Sequence, residues 1–597
     1  MRPARARVCF AGFTLTLALA VGGCGPERRA VSAGASVRSA ALPVAERRLA
    51  LERARPPRAG EPSELLGVMQ AELARAMSEL QERGNPPPYY LAYTAYDLRE
   101  VTLSASLGAL EVDTDERRRV ADVDVRLGDP HRDSTHSRDA PGEFAEPADL
   151  PRDADPLALR RALWLATDAA YKRAQANLIR VRAEARVNVA ETDDADDFSR
   201  EAPTRLILAP EPLTVDRDAW RARVRGWSAR FAAHPRLERG TVSLIASESE
   251  RVFVSSEGAE VQTPRTHARL LIQGEATADD GSVIERSELI DSHSLENLQL
   301  DDARVMARLD AVARDVEALA RAPLGEPYVG PVILDGPAAA VFFHEIFGHR
   351  IEGHRQKSES EGQTFADKIG ERLMPAFFDV YDDPTLVKAG GVDLNGFYRV
   401  DDEGVPAARA TLIERGVLRG FLMSRSPVRG FPRSNGHGRR SPGYRALSRQ
   451  ANLVVDPAQV TTRAALTQAL IAEVRRQGKP YGLRVGEVVG GYTMTQRGDT
   501  QAFKVEPVMV YRVYPDGREE LVRGVTLEGT PLSALADVLA AANDFSVFNG
   551  YCGAESGDVP ASAVSPSLLL GKLEITREDK GVERPPLLGA PPAEAAR

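Results

Sequence analysis

The sequence predicts an α+β protein in two parts, a mixed helix and antiparallel-strand N-terminal domain followed by a strand-rich C-terminal domain. Three observations carry this expectation. Leu65, Leu66, Met69, Leu73, Met77 and Leu80 recur at helical spacing. Five short β-type runs between Thr241 and Ile290 are separated by turn signals such as Ser256-Glu257-Gly258 and Asp279-Asp280-Gly281, the pattern of an antiparallel meander. A later group of strand-like runs, Gly486 to Val525, is interrupted by the hairpin turn Pro515-Asp516-Gly517.

The 597 residues suffice for several domains, and 43% apolar with 27% charged residues is the balance of an ordinary globular chain. A formal charge of −9 without a basic stripe argues against a nucleic-acid partner. Residues 1–24 differ from the rest. Arg2, Arg5 and Arg7 precede the apolar run Val8–Val21, too short to span a bilayer but suited to a signal-peptide core. The run ends in Val21-Gly22-Gly23-Cys24, which resembles the bacterial lipobox, whose cysteine is diacylated and becomes the N-terminus. The expectation is therefore an exported lipoprotein, tethered through Cys24 to a bacterial membrane at its periplasmic face or in the cell envelope. Cys9 would leave with the leader and Cys24 would carry lipid, so Cys552 is the one thiol left over. An intramolecular disulfide is then impossible, and a lone thiol in an oxidising compartment requires another explanation.

Residues 25–60, aperiodic and rich in Ala, Arg, Pro, Ser and Gly, read as a flexible linker. The N-terminal domain is expected over 61–322. Ser63 caps its first helix, which Gly84 and Pro86-Pro87-Pro88 stop. Strands follow at Tyr89–Asp97, Val101–Leu107 and Val120–Leu127, then a polar surface loop from Gly128 to Asp155 that holds solvated His131 and His136. Pro156 opens a helix at its first position and carries it to about Val181. The acidic run Glu191–Asp197 reads as a solvated loop, a helix covers Arg217–Ala233, and a long helix, Leu295–Ala322, follows the meander.

The C-terminal domain is expected over 323–576. The strand Val332–Leu334 leads into a helix started by Asp335-Gly336-Pro337. Short strands at Gly396–Asp401 and within Ala410–Leu422 precede a Gly/Arg/Ser-rich loop, Ser434–Tyr444. A helix is expected at Arg463–Gln477 and another at Leu532–Asn543, with Cys552 in a loop, Phe545–Gly553, before a final strand, Ser567–Ile575. Residues 577–597 read as a disordered tail, and no repeat of solenoid period is present.

The helix after Asp335 carries the chemistry. Three of the nine histidines, His344, His349 and His354, fall within eleven residues, and Glu345 stands next to the first. His344-Glu345-x-x-x-His349 has the parts of a metallopeptidase site, two imidazoles for a metal and a carboxylate for general-base work. Its spacing is one residue longer than that of H-E-x-x-H. At 100° per residue, positions five apart lie about 140° apart around a helix, so a regular helix cannot aim both rings at one ion. Either a π-type bulge widens the turn, or the helix ends at Gly348 and the chain swings His349 back.

With these pieces placed, the chain resembles the TldD/PmbA family of metallopeptidases. The resemblance rests on His344-Glu345-Ile346-Phe347-Gly348-His349 with Glu352-Gly353, on Asp401-Asp402-Glu403-Gly404, on Gly436-His437-Gly438-Arg439-Arg440, and on Asn549-Gly550-Tyr551-Cys552-Gly553. It implies zinc held by His344, His349 and Cys552, with Glu345 as general base in peptide-bond hydrolysis. It also implies substrate roles for Arg439 and Arg440, a dimer (homo or hetero), and an enclosed groove that admits unfolded peptide or protein. Two imidazoles and a thiolate with a fourth position open make a catalytic zinc shell, and coordination accounts for a lone thiol. Gly490-Gly491 precede alternating strand, where another backbone can approach closely, and similarly placed glycines in the family receive an extended peptide. His354 stands where the family more usually has an acid and is a rival third ligand, and His437 interrupts a loop that in the family is closer to Gly-Asn-Gly-Arg-Arg. Two other readings fit the same residues: a maturation protease that trims a dedicated partner, or a non-catalytic lipid-anchored zinc scaffold.

The leader yields a first expectation. Mass spectrometry of the mature protein should find an acylated Cys24 at the N-terminus, and Cys24→Ser should leave the chain unlipidated.

Overall fold

The computed structural model describes residues 42–136, 145–153, 155–187, 193–298, 300–498, 502–577 and 588. The expected signal peptide, Cys24 and nearly all of the expected tail lie outside the described residues. The chain folds as α+β, with helices set against antiparallel-rich sheets.

The N-terminal sheet grows from one long hairpin, Pro88–Ser106 paired with Ala109–Leu127. Three short strands were expected here. The hairpin runs through the charged stretch between them because charges pair across it: Arg99 Nε donates to Asp115 at 2.9 Å and Arg119 Nε to Asp97 at 2.9 Å. The same merging turns the five runs of the meander into three strands, Arg239–Ser255, Glu260–Thr277 and Val283–Ser292. Short strands at Ala148–Asp149 and Arg205–Ile207 complete a seven-stranded sheet.

Four helices cover one face of this sheet. Glu64–Arg83 begins at Ser63, whose hydroxyl accepts from the Leu66 N–H, and Pro156–Val187 runs beside it, six residues beyond its expected end. Their apolar faces close over Leu91, Tyr93 and Ala95. At the other end of the hairpin Arg217–Ser228 and Asp302–Arg321, capped by Asp216 and Asp301, close over Val101, Leu103 and Ala105. These six strand positions share one parity and hence one face. The opposite face, through Tyr90 and Ala92, packs on Phe198 and Val400 and so meets the second half of the chain.

That half holds two main sheets. In the first, the order is Gly482–Thr493, Tyr328–Leu334, Leu568–Arg577, Val525–Gly529, Phe503–Val513, with Glu519–Val522 and Val538–Ala541 attached. Gly482–Thr493 also pairs with Phe503–Val513, so five of the strands close on themselves. The second sheet has six strands and ends in Asn452–Pro457, Gly557–Ser565 and Ser546–Ala554, the first two of these being parallel. The helix Gly336–Phe343 lies between the two sheets, where Phe342, Phe343 and Phe347 are fully buried.

Several expectations are corrected. The helix expected at Leu532–Asn543 is a short helix, Pro531–Ala536, followed by the strand Val538–Ala541, because Leu568–Leu570 offers it a ladder. Cys552 lies on a strand, Ser546–Ala554, in register with Val559, where its glycine-rich neighbours had suggested a loop. Gly396–Asp401 is a turn with a single bridge at Val400, held because the Asp401 carboxylate accepts the N–H groups of Glu403 and Val405. Residues 42–60 of the expected linker are laid against the body: Leu51–Arg53 pairs with Leu386–Ala389, and Leu49 and Leu51 pack on Tyr381 and Leu386. No helix among the described residues is long and apolar enough to cross a membrane.

Because Phe342 meets Phe343 and Phe503 edge to face with no solvent contact, Phe342→Ala should cost about 3–5 kcal/mol, checked by denaturant unfolding.

Candidate metal centre

The helix solves its spacing problem with a π turn. Residues Gly336–Phe343 are α-helical, His344–Gly348 form a π segment, and His349–Ile351 a 3₁₀ turn. The His349 N–H donates to the His344 carbonyl, five residues back. The amide of Gln450 also donates to that carbonyl, at 3.3 Å, and Arg350 donates to the Glu345 carbonyl at 3.2 Å. Gly348 is required by this packing, since a Cβ at that position would overlap the Gln450 amide.

The wider turn brings His344 and His349 to one side, with their ring centres 5.1 Å apart. Cys552 reaches them from the neighbouring strand. Its sulfur lies 3.1 Å from His344 Nε2 and 3.4 Å from His349 Nε2. The three donor atoms all lie within 4.8 Å of one another, all three residues are buried, and among the described residues this is the one such cluster of metal-binding side chains. The electrostatics suit a cation. Burial opposes charge on both imidazoles, yet the Cys552 sulfur raises them, His349 well above its ordinary value. Burial would likewise raise the Cys552 thiol, but His349, Arg449 and His344 pull it well below the thiol range. These shifts favour a thiolate beside the two imidazoles, and a metal ion held there would take the place of protons on the donor atoms.

Glu345 is buried beside the cluster, with Oε2 3.9 Å from His349 Nε2 and without a hydrogen-bond partner. Burial raises its carboxyl above the ordinary range. A second acid, Glu352, is fully buried with Oε2 3.5 Å from His349 Nδ1. Arg355 holds it at 2.9 Å, and Arg449 lies 3.3 Å from its other oxygen. Although burial opposes it, these cations and His349 hold Glu352 well below the carboxylate range. The Arg449 guanidinium also donates to the Cys552 carbonyl. Glu352 thus orients one imidazole, and Arg449 ties it to the backbone of the cysteine strand.

His344, Glu345, His349 and Cys552 line a cavity of about 450 Å³ together with Val489–Thr493. Gly491 packs so closely on Glu345 that a Cβ would lie 2.7 Å from its Cγ, whereas Gly490 faces open space. Gly482–Thr493 pairs with Tyr328–Leu334 only through Leu483–Val485, so beyond Val485 one of its edges has no ladder partner among the described residues. Ser546–Ala554, which carries Cys552, is the terminal strand of its own sheet. Two strands with an open edge therefore contribute to the cavity that holds the metal cluster.

Other expected residues lie elsewhere. Arg439 and Arg440, expected to serve substrate, do not line this cavity: Arg439 donates to the carbonyls of Gln450 and Pro560, and Arg440 to Thr94 and Tyr444. His354 is buried outside the cluster, 4.0 Å from Glu555, its two nitrogens without hydrogen-bond partners. Burial and Arg355 push it down to about 4. His437 is buried against Asn435 and Asp382, His131 meets Asp196 in solvent, and His136 meets Asp197. The sequence analysis missed Glu352 as a support, along with Arg449 and Gln450. Glu352 stands one helical turn from His349 and was a detectable signal; Arg449 and Gln450 reach the centre only through the fold.

Residues 327–577 match the PmbA/TldA metallopeptidase C-terminal domain. A metalloprotease of Methanothermobacter thermautotrophicus is 28% identical over 335 residues, 55% of this chain and 67% of that protein. A protein of Saccharolobus solfataricus named as a zinc metalloprotease and TldD homologue is 24% identical over 349 residues, 57% of this chain and 72% of that protein. The crystal structure of TldE from Thermococcus kodakarensis superposes with a TM-score of 0.58 at 16% identity, covering 84% of this chain and all of that one. The centre is that of a metallopeptidase-type domain. The chain's C-terminal domain, residues 327–577, belongs to the TldD/PmbA family.

Cys552→Ser and His349→Ala should lose bound metal to a comparable degree, while His354→Ala keeps it, as elemental analysis of the purified variants will show. Glu352→Gln should weaken metal binding about 10- to 100-fold by freeing the His349 ring.

Proposed function

We propose that this protein is a zinc-dependent peptidase that hydrolyses peptide bonds in unfolded or extended polypeptides. The observation that carries the reading is the Glu345 carboxylate, its Oε2 unengaged, beside a donor set of His344, His349 and Cys552 that borders a cavity. The donor set fits zinc: two neutral imidazoles and a thiolate, with no fourth protein donor in the cluster among the described residues. A structural zinc site would be closed by a fourth such donor, so the open set favours catalysis over a scaffold. Zinc held there would supply Lewis acidity toward a scissile carbonyl and a water molecule.

The chain's own residues do the rest. Glu345, its carboxyl raised by burial, takes a proton from the attacking water and passes it to the leaving amine. The wall of Gly490 and Gly491 leaves room for a peptide backbone, and the unpaired edge beyond Val485 offers it N–H and C=O groups as an added strand. Such binding reads backbone more than side chain, so preference for sequence is broad and the cleaved segment is extended. Folded proteins present no such segment to an enclosed cavity. The proposal extends to an exported protein anchored by lipid at Cys24 and acting as a dimer, homo or hetero.

The test compares wild type with Glu345→Ala on one protein in folded and destabilised forms. Wild type should cleave the destabilised form preferentially, and Glu345→Ala should retain metal while losing at least about 100-fold in rate. Because the base works only when ionised, wild-type activity should fall on the acid side as Glu345 takes up a proton, and Glu345→Ala should lose that limb. Equal cleavage of both forms, or a strict need for one side chain, would contradict strand addition.

A further inference from the structure

A second cavity, of about 700 Å³, lies where the N-terminal sheet meets the second half of the chain. Its lining holds seven arginines against three acids, in a protein whose formal charge is −9. The acids do not neutralise the arginines. Asp402 is already engaged by the Arg251 guanidinium and accepts the Arg440 N–H. The Asp401 carboxylate is taken by the N–H groups of Glu403, Val405 and Gly438. Glu211 is exposed.

Five guanidiniums remain without a carboxylate partner among the described residues. Arg265 donates to the Asn395 carbonyl at 2.7 Å, Arg399 to the Arg55 carbonyl at 2.7 Å, and Arg439 to the two carbonyls named above. Arg58 and Arg118 are exposed. Carbonyl contacts hold Arg265, Arg399 and Arg439 without balancing their charge. Burial pushes Arg265 down to about 10, with Asp402 only partly opposing it, and lowers the half-buried Arg399, where Glu211 offsets part of the effect. Tyr96 adds a buried hydroxyl without a hydrogen-bond partner. A volume of this size is that of a small-molecule site, and planar guanidiniums match the paired oxygens of carboxylates and phosphates.

We propose that this cavity is a binding site for a small organic anion carrying at least two negative charges, with Arg265 and Arg399 as its principal contacts. The carboxylate and phosphate forms share this chemistry. The site is separate from the metal centre and does not depend on the peptidase reading.

The experiment is calorimetric titration of the full-length protein with glutarate, a dicarboxylate, and with glycerol 2-phosphate, a phosphomonoester. Both are run at constant ionic strength against sodium chloride. Saturable one-to-one binding of either probe is expected, weakened tenfold or more in Arg265→Gln and in Arg399→Gln, with metal content and peptide cleavage unchanged. Whichever probe binds identifies the anion class. To guard against a variant that misfolds, wild-type protein is also treated with phenylglyoxal and its modified arginines are mapped by mass spectrometry. The bound probe should protect Arg265 and Arg399. Heats indistinguishable from sodium chloride for both probes, wild-type affinity in both variants, or unprotected Arg265 and Arg399 would each overturn the proposal.

Discussion

Everything at the metal centre depends on one departure from regular helix, the bond from the His349 N–H to the His344 carbonyl five residues back. With an α-helical turn the two imidazoles would point about 140° apart. The π turn needs outside support, because the widened backbone is less favourable than the α-helix on either side. Gln450 provides it from the loop before the strand Asn452–Pro457, and Gly348 leaves room for the amide to enter. A sheet and a helix are therefore locked together at the residue where the helix changes type, and a larger side chain at 348 would separate them.

Around this turn the protein buries an unusual amount of charge. Glu352, Arg355 and Arg449 are each almost wholly out of solvent. Such groups lose several kcal/mol of hydration apiece, which mutual attraction recovers only with good geometry. The geometry here is specific: Glu352 faces His349 and both arginines, and Arg449 also binds the backbone of Cys552. The network contributes little certain stability, but it settles the orientation of one imidazole and the ionisation of the thiol. Glu345, by contrast, is left with an unengaged oxygen. A buried, unsatisfied carboxylate is unfavourable for the resting fold, and functional sites are where such costs are retained.

The architecture explains how the centre is both enclosed and open to another backbone. One sheet of the second half closes on itself, which removes most of its edges. One edge that remains, beyond Val485, borders the metal cavity, as does the terminal strand carrying Cys552. Elsewhere the helices on the N-terminal sheet and the apolar cluster of Tyr90, Phe198 and Val400 cover the exposed faces.

The sequence by itself determined the fold class, most of the helices and the residue types of the candidate metal centre. Capping residues and the 3.6-residue spacing of apolar side chains are local properties: the helices after Ser63 and Asp216 begin where expected, whereas the one expected from Leu295 begins only at Asp302, after the Asp301 cap. The His344-Glu345-x-x-x-His349 spacing even required a π turn or a break, because helix geometry admits nothing else. The tertiary structure decided what depends on partners distant in the chain. Asp97 and Asp115 let charged residues continue a strand because Arg119 lies opposite Asp97 and Arg99 reaches Asp115 diagonally, and Cys552 sits on a strand because Gly557–Ser565 offers it a ladder. Arg439 and Arg440 carried the family's pattern, yet carbonyls and a threonine from other segments engage them away from the metal cavity. A side chain's type shows which bonds it can make, but only the folded chain places a partner within reach.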